Sequence, residues 1–259
     1  MSKLSDALAA GKFVVTVELD PPRGADLDRL GELADRLSGK ADAVVVSDNR
    51  GAIARMSPVT ACGHLIANGG PEVIMTLTCR DRNRLGLTSE LLAAAAAGVE
   101  NLLLVSGDFV TLGDQPGSRP VYDLDSVQAL LLASALAQGR DLAGGLSGPA
   151  SFFLGAALAP DASLVGLQAM KFMKKSKAGA AFFITKPIRD ARGLEALAQQ
   201  AGAGEAKIIA GLELEADQEP DEAAQLAQAL KAGGMAAGVH LACPDNQQRL
   251  PELVGQLGL

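Results

Sequence analysis

Eight apolar runs alternate with Ala- and Leu-rich stretches along 259 residues, and this alternation predicts a single (β/α)8 barrel, the TIM-barrel class. Two further observations agree. The repeat is roughly 30 residues, the size of one βα unit. Polar or charged residues also stand where most of the apolar runs end, which is where barrels of this class collect their chemistry. An open doubly wound sheet would show the same alternation, but no GxGxxG follows the first run. No linker or low-complexity segment interrupts the pattern, so residues 1–259 read as one domain.

The first strand is Phe13 to Leu19, ended by Asp20-Pro21-Pro22-Arg23-Gly24, because two prolines cannot continue a ladder. A helix from Leu27 to Leu37 follows. Ala43 to Ser47 is the second strand, Asp48-Asn49-Arg50-Gly51 its loop, and Pro58 to Ala67 its helix. The third strand, Glu72 to Thr78, leads through the charged turn Arg80-Asp81-Arg82-Asn83 into a helix ending near Ala97. That turn reads as a salt-bridged brace of the barrel top.

Asn101 to Asp125 is the stretch richest in signals. Leu102 to Val105 suits a strand buried on both faces, and Ser106-Gly107-Asp108 breaks it. A long Gly- and Pro-rich loop carries the one tyrosine, Tyr122, and Asp125 is placed to cap a helix over Ser126 to Gln138. Long loops in compact domains are usually functional or disordered. The remaining units pair Ser151–Ala157 with a helix over Leu164–Lys177, and Ala181–Thr185 with one over Asp190–Gln200. Lys207–Glu213 then pairs with a helix over Asp221–Lys231, and Ala236–Ala242 with one over Gln247–Leu257.

Composition sets outer bounds. Apolar residues make up 48%, enough for a large core, but with no Trp that core is built from Ala, Leu, Val and Ile. A formal net charge of -7 argues against non-specific nucleic-acid binding. Cys62, Cys79 and Cys243 are far apart and without CxxC spacing, which suits buried thiols in a reducing compartment. The N-terminus lacks a long apolar run and no membrane-length apolar stretch occurs, so a cytoplasmic, soluble protein is expected. Two histidines, His64 in a helix and His240 at a strand end, with no HExxH spacing, give no zinc site. No GxSxG supports serine hydrolysis. Around the expected barrel mouth stand Glu18, Ser47-Asp48-Asn49, Thr76, Thr78, Ser106-Gly107-Asp108, Thr185-Lys186, Glu213, Glu215 and His240. A ring of this kind reads as a site.

Several motifs resemble the methylenetetrahydrofolate reductase family: VELDPPRG, VVVSDNRGAIARMS, MTLTCRDRN, VSGD and GSRPVYDLDSVQ, in the family's order and spacing. The resemblance runs from about residue 13 to 190, resumes weakly at Gly238-Val239-His240, and is closest to the branch of anaerobic bacteria and archaea. It implies a flavin-bearing barrel, with FAD or FMN, that reduces methylenetetrahydrofolate to methyltetrahydrofolate in one-carbon metabolism and methionine biosynthesis. By position, Glu18 matches the family's catalytic acid, whose proton on a folate nitrogen opens the ring to an iminium that accepts hydride. Asp108 matches the carboxylate between flavin and pterin, and Gly107 lets backbone approach the ring. Ser47 and Thr76 match flavin contacts, and Tyr122 and Asp123 fall in the loop on the ribityl and adenosine side. Gln168, Lys171, Lys174 and Lys175 match the flavin-binding helix, where the lysines' spacing puts three cations near one face, facing a pyrophosphate or solvent alike.

Two departures stand out. Lys186 replaces a glutamine that helps hold folate, and an ammonium only donates where an amide also accepts; it is placed to reach Asp108 or a glutamate tail. The segment after the seventh strand is short and carries Glu213, Glu215, Asp217 and Glu219, which repel the phosphates of NAD(P)H and favour an electron-donating partner protein. Three readings follow: a flavin oxidoreductase of the reductase class, a non-catalytic flavin- or pterin-binding scaffold subunit, or a barrel for another pterin or methyl carrier. Helix faces such as Leu91 to Ala97 suit subunit or core packing equally. The protein is expected to work as a homo-oligomer or within a complex.

Overall fold

The computed structural model describes every residue except 116, 162–163 and 202–205. Its strands are β1 (Val14–Leu19), β2 (Ala43–Val46), β3 (Val73–Thr78), β4 (Asn101–Val105), β5 (Phe153–Leu158), β6 (Phe182–Pro187), β7 (Lys207–Glu213) and β8 (Gly238–Ala242). They form a closed parallel barrel in chain order, with β1 registered on β8 through Thr16–His240 and Val17–Leu241. The helices are α1 (Lys3–Ala9), α2 (Asp28–Leu37), α3 (Pro58–Ala67), α4 (Arg84–Ala96) and α5 (Ser126–Ala137), then α6 (Val165–Lys177), α7 (Arg192–Ala201), α8 (Asp221–Ala232) and α9 (Leu250–Gln256). The predicted fold class is the observed one.

The strands read as continuous apolar runs because both faces are buried. Outward residues such as Leu19, Val46, Leu77 and Leu104 pack beneath Leu33, Leu65, Leu87 and Leu130 of the helices. Inward residues Val45, Ile74, Leu103, Phe182 and Ile209 fill the barrel itself. Phe182 needs room: a Cβ on Gly155 would sit 2.3 Å from its ring, so glycine there is a packing requirement.

α1 was not foreseen. It closes the N-terminal end of the barrel, placing Leu4 and Leu8, one turn apart, on the interior core. Ser2 caps it by accepting from Ser5 N at 3.1 Å while donating to Asn101 Oδ1 of β4 at 2.5 Å. The opposite end is thereby the one left for chemistry.

Two expectations need correction. β6 runs past Thr185 to Pro187, with a register irregularity against β7 between Ile184 and Pro187. The final helix divides into a 3-10 turn, Gln247–Arg249, and α9, with Pro251 in the first turn of α9, where a missing N–H costs nothing. Asp125 caps α5 in a reciprocal box with Gln128, as expected. Leu91 and Ala94 are buried in the core. All three cysteines are free and buried; burial pushes the Cys62 thiol far up and Cys79 to about 11. Among the described residues no helix is long and apolar enough to cross a membrane.

Candidate functional site

The C-terminal ends of all eight strands open into a cavity of about 460 Å³, within the range of small-molecule sites. A larger groove, about 630 Å³, lies by α1 at the other end. Its lining is mainly apolar and lacks convergent polar groups, so the mouth cavity is the candidate.

β1 and β8 bring a carboxyl and an imidazole together. Glu18 projects from β1, and its Oε2 lies 3.2 Å from His240 Nε2 on β8. His240 Nδ1 lies 3.1 Å from Thr16 Oγ1, and Thr16 is fully buried. Barrel closure brings these three together, and Glu18 and His240 both line the cavity.

Asp20 anchors the rim beside them. Its carboxylate accepts from Ser47 Oγ at 2.5 Å, Arg50 Nη2 at 2.6 Å and Gln247 Nε2 at 2.8 Å, with Arg55 Nη2 at 3.4 Å. Burial opposes its ionisation, but the Arg50 guanidinium, Ser47 and Arg55 outweigh that and hold the carboxyl below the usual range. Burial alone would likewise lower the Arg50 guanidinium, yet Asp20, Glu18 and Glu213 raise it. Arg50 therefore stays charged at the cavity wall.

A second brace joins β2 to β3. Asp48 accepts from Thr78 N at 2.8 Å and Arg82 Nη1 at 2.7 Å, and burial still pushes its carboxyl upward. Arg80, 2% exposed, donates to the carbonyls of Asn49 and Asp108 and pairs with Asp81. The expected salt-bridged brace is present. It holds a loop in which Asn49, Gly51 and Ala52 are all left-handed, with φ of 47°, 65° and 59°. Such backbone is costly for Ala and persists only where the surroundings enforce it. Here it aims Gly51 N at Asp108 Oδ2, 2.9 Å away.

The β4 end turns sharply. Gly107 has φ +92°, and a Cβ there would meet Thr78 Oγ1 at 2.2 Å, so only glycine fits. Asp108, held by Gly51, also faces Lys186 Nζ at 3.6 Å across the mouth. The irregularity in β6 accompanies this placement of Lys186, in keeping with the way bulges re-aim side chains.

α6 supplies the facing wall with Gln168, Lys171 and Lys175. Lys175 Nζ donates to Ala157 O at 2.7 Å, and burial, with Lys171 nearby, lowers its affinity for a proton. Thr76 lines the floor with a buried hydroxyl that has no hydrogen-bond partner among the described residues.

Of the residues singled out from sequence, Glu18, Ser47, Thr76, Gly107, Asp108, Gln168, Lys171, Lys175 and Lys186 surround one cavity. Tyr122, Asp123 and Lys174 do not reach it. Asp123 instead accepts from Arg84 N at 2.7 Å, Tyr122 is exposed with φ 43°, and Lys174 points to solvent. Thr16, Asp20 and Arg50 went unnoticed. Only the carboxylate before a Pro-Pro pair and the arginine in a short loop hinted at the latter two.

The sequence matches the methylenetetrahydrofolate reductase family over residues 3–217. The chain belongs to that family. Methylenetetrahydrofolate reductase motifs thus account for β1 to β7, the part of the barrel that supplies most of the cavity. Among curated proteins, none matches significantly.

Solved structures show how widely the architecture is shared. A protein from Clostridium thermocellum that binds two copies of 5-methyl-5,6,7,8-tetrahydrofolic acid is 12% identical with TM-score 0.64, covering 99% of this chain and 97% of that one. Tryptophan synthase from M. tuberculosis in its aminoacrylate-bound form is 15% identical with TM-score 0.62, covering 99% and 98%. A putative lyase/mutase from Burkholderia cenocepacia is 18% identical with TM-score 0.55, covering 98% and 84%. At these identities the likeness is one of fold.

Proposed function

We propose that this protein is a flavin-dependent reductase of 5,10-methylenetetrahydrofolate, yielding 5-methyltetrahydrofolate. The observation that carries the reading is Glu18, a carboxyl at the strand-end cavity with an imidazole on one side and open space on the other. Family membership supports the folate substrate, as does the methyltetrahydrofolate held by the Clostridium thermocellum barrel.

The residues present fit a flavin, FAD or FMN. The unpartnered Thr76 hydroxyl offers a hydrogen bond to a polar ring edge, and the glycine backbone at Gly107 permits close approach. Lys171 and Lys175 would neutralise phosphate, and Gln168 would add an amide. When bound, the flavin supplies the hydride. The chain's own contribution is the rest. Glu18 protonates a folate nitrogen, Asp108 orients the pterin, and the buried Asp20 and Asp48 networks keep both strand ends still.

Electrons would come from NAD(P)H or from a partner protein, and the acidic run from Glu213 to Glu219 favours the partner. One observation favours the scaffold reading instead: Lys186 sits against Asp108, the carboxylate a pterin would use. The deciding experiment is an absorbance spectrum of purified protein, then photoreduction and anaerobic addition of methylenetetrahydrofolate. Flavin bands that return with folate bear out the reductase. Flavin that stays reduced favours the scaffold, and no flavin after reconstitution with FAD or FMN sinks the flavoprotein.

A further inference from the structure

We infer that Asp108 meets its ligand through one oxygen, Oδ1, in exchange for Lys186, and that Arg80 is the positioning residue that keeps the other oxygen, Oδ2, occupied. The identity of the ligand rests on the folate reading. The arrangement itself belongs to the unliganded chain.

The two oxygens are held in opposite ways. Oδ2 accepts from Gly51 N at 2.9 Å, a backbone donor fixed by the left-handed run through Asn49, Gly51 and Ala52. Oδ1 faces the Lys186 ammonium at 3.6 Å, beyond hydrogen-bond length, and that side chain is 66% exposed. An arriving N–H donor therefore displaces the lysine at little cost, whereas taking Oδ2 would leave the half-buried Gly51 N–H unpaired. The site consequently reads one donor rather than a paired donor edge, and the displaced ammonium is released to meet an anionic group on the same ligand.

Arg80 fixes this asymmetry. Its buried guanidinium donates from Nη1 to Asp108 O at 3.1 Å and from Nη2 to Asn49 O at 3.2 Å. Nε and Nη2 also donate to the Asp81 carboxylate at 2.6 and 2.7 Å, and Asp81 accepts from Asn49 Nδ2 at 3.2 Å. One residue after β3 thus ties the loops after β2 and β4 together, through the backbone of Asn49 and of Asp108. A lysine has a single nitrogen and cannot span both carbonyls while pairing with Asp81. A second contact joins the same two loops without Arg80: a Cβ on Gly113 would lie 1.9 Å from Ala52 O. The loops meet backbone to backbone there, so they can be pried apart independently of the guanidinium.

Two readouts on the whole chain test this. The first is amide hydrogen exchange followed by NMR in unliganded protein. R80K and G113A should each speed exchange of the Gly51 amide about tenfold and leave the β5 amides unchanged. Equal acceleration at Gly51 and across β5 would mark a general loss of stability and overturn the inference. D108N should keep Gly51 protected, because its amide oxygen takes the place of Oδ2, while an NH2 replaces Oδ1. The second readout is affinity for 5-methyltetrahydrofolate by titration calorimetry. R80K and D108N should each weaken binding about tenfold, and R80K added to D108N should weaken it no further. Losses that multiply would mean that Arg80 acts other than through Asp108, and would also overturn the inference. Wild type that shows the Gly51 pattern but binds no folate would sink the folate reading and leave the Arg80 clamp on Asp108 standing.

Discussion

The two walls of the mouth are built on opposite physical plans. From β8 through β1 to β3, each of three carboxyl groups is held by at least one buried partner: Glu18 by His240, Asp20 by Ser47 and Arg50, Asp48 by Thr78 and Arg82. From α6 to β6 the wall is made of lysines on long stems, with Lys171 and Lys186 largely exposed and only Lys175 partly buried. The first wall is fixed before any ligand arrives, as the proposed proton-donor role of Glu18 requires. The second can adapt to a phosphate or a glutamate tail at modest cost. On the proposed reading, rigidity lies where atoms react and compliance where charge is merely met.

Breaking the fixed wall should have the largest effect. Glu18→Gln removes the proton and should slow folate-dependent flavin reoxidation by about 10²-fold or more, with flavin spectrum and melting temperature retained. A rate within threefold of wild type would move the acid elsewhere. Next in size, Asp20→Asn leaves Arg50 and Arg55 without their buried counter-charge and should cost about 3 kcal/mol in urea unfolding. The same group sets an acid limit. Because the Asp20 carboxyl is held below its ordinary value in the fold, its contribution is complete above pH ~4 and fades as pH falls through the folded value. Wild type should therefore lose more stability than Asp20→Asn between pH 5 and roughly 2, a difference read from parallel urea titrations.

The adaptable wall should give smaller numbers. Lys175→Met removes a partly buried cation and should weaken flavin binding about tenfold in a fluorescence-quenching titration, with Lys171→Met weaker in effect. Equal losses at both positions would argue that burial does not distinguish them. Smallest of all, Lys186→Gln should change stability by less than about 0.5 kcal/mol, since its pair with Asp108 is exposed. It should instead alter the folate concentration needed for half-maximal rate by a few-fold, separating a substrate contact from a structural one.

How far the sequence could be read follows from the same contrast. The strands and helices were legible because each repeats a local pattern, and the boundaries of α3 and β7 emerged intact. Glu18, Asp108, Gly107 and Lys186 were legible as strand-end chemistry, and the Lys186–Asp108 meeting is one of the two contacts, with a glutamate tail, that the lysine's position suggested. Thr16 was hidden because its role depends on the β1–β8 register, which no local pattern encodes. Asp20 was hidden because one of its partners, Gln247, lies 227 residues away. α1 was missed because seven residues with two leucines give a weak helical signal until a barrel end needs covering.

The β1–β8 seam also sets an order of assembly. Glu18 and His240 are separated by 222 residues, so their meeting has a loop-closure cost that no intervening contact can remove until the other strands are in place. During synthesis the glutamate leaves the ribosome early and the histidine among the last strands. A nascent chain halted before β8 thus carries Glu18 without its imidazole partner, and completion of the barrel is the event that pairs them.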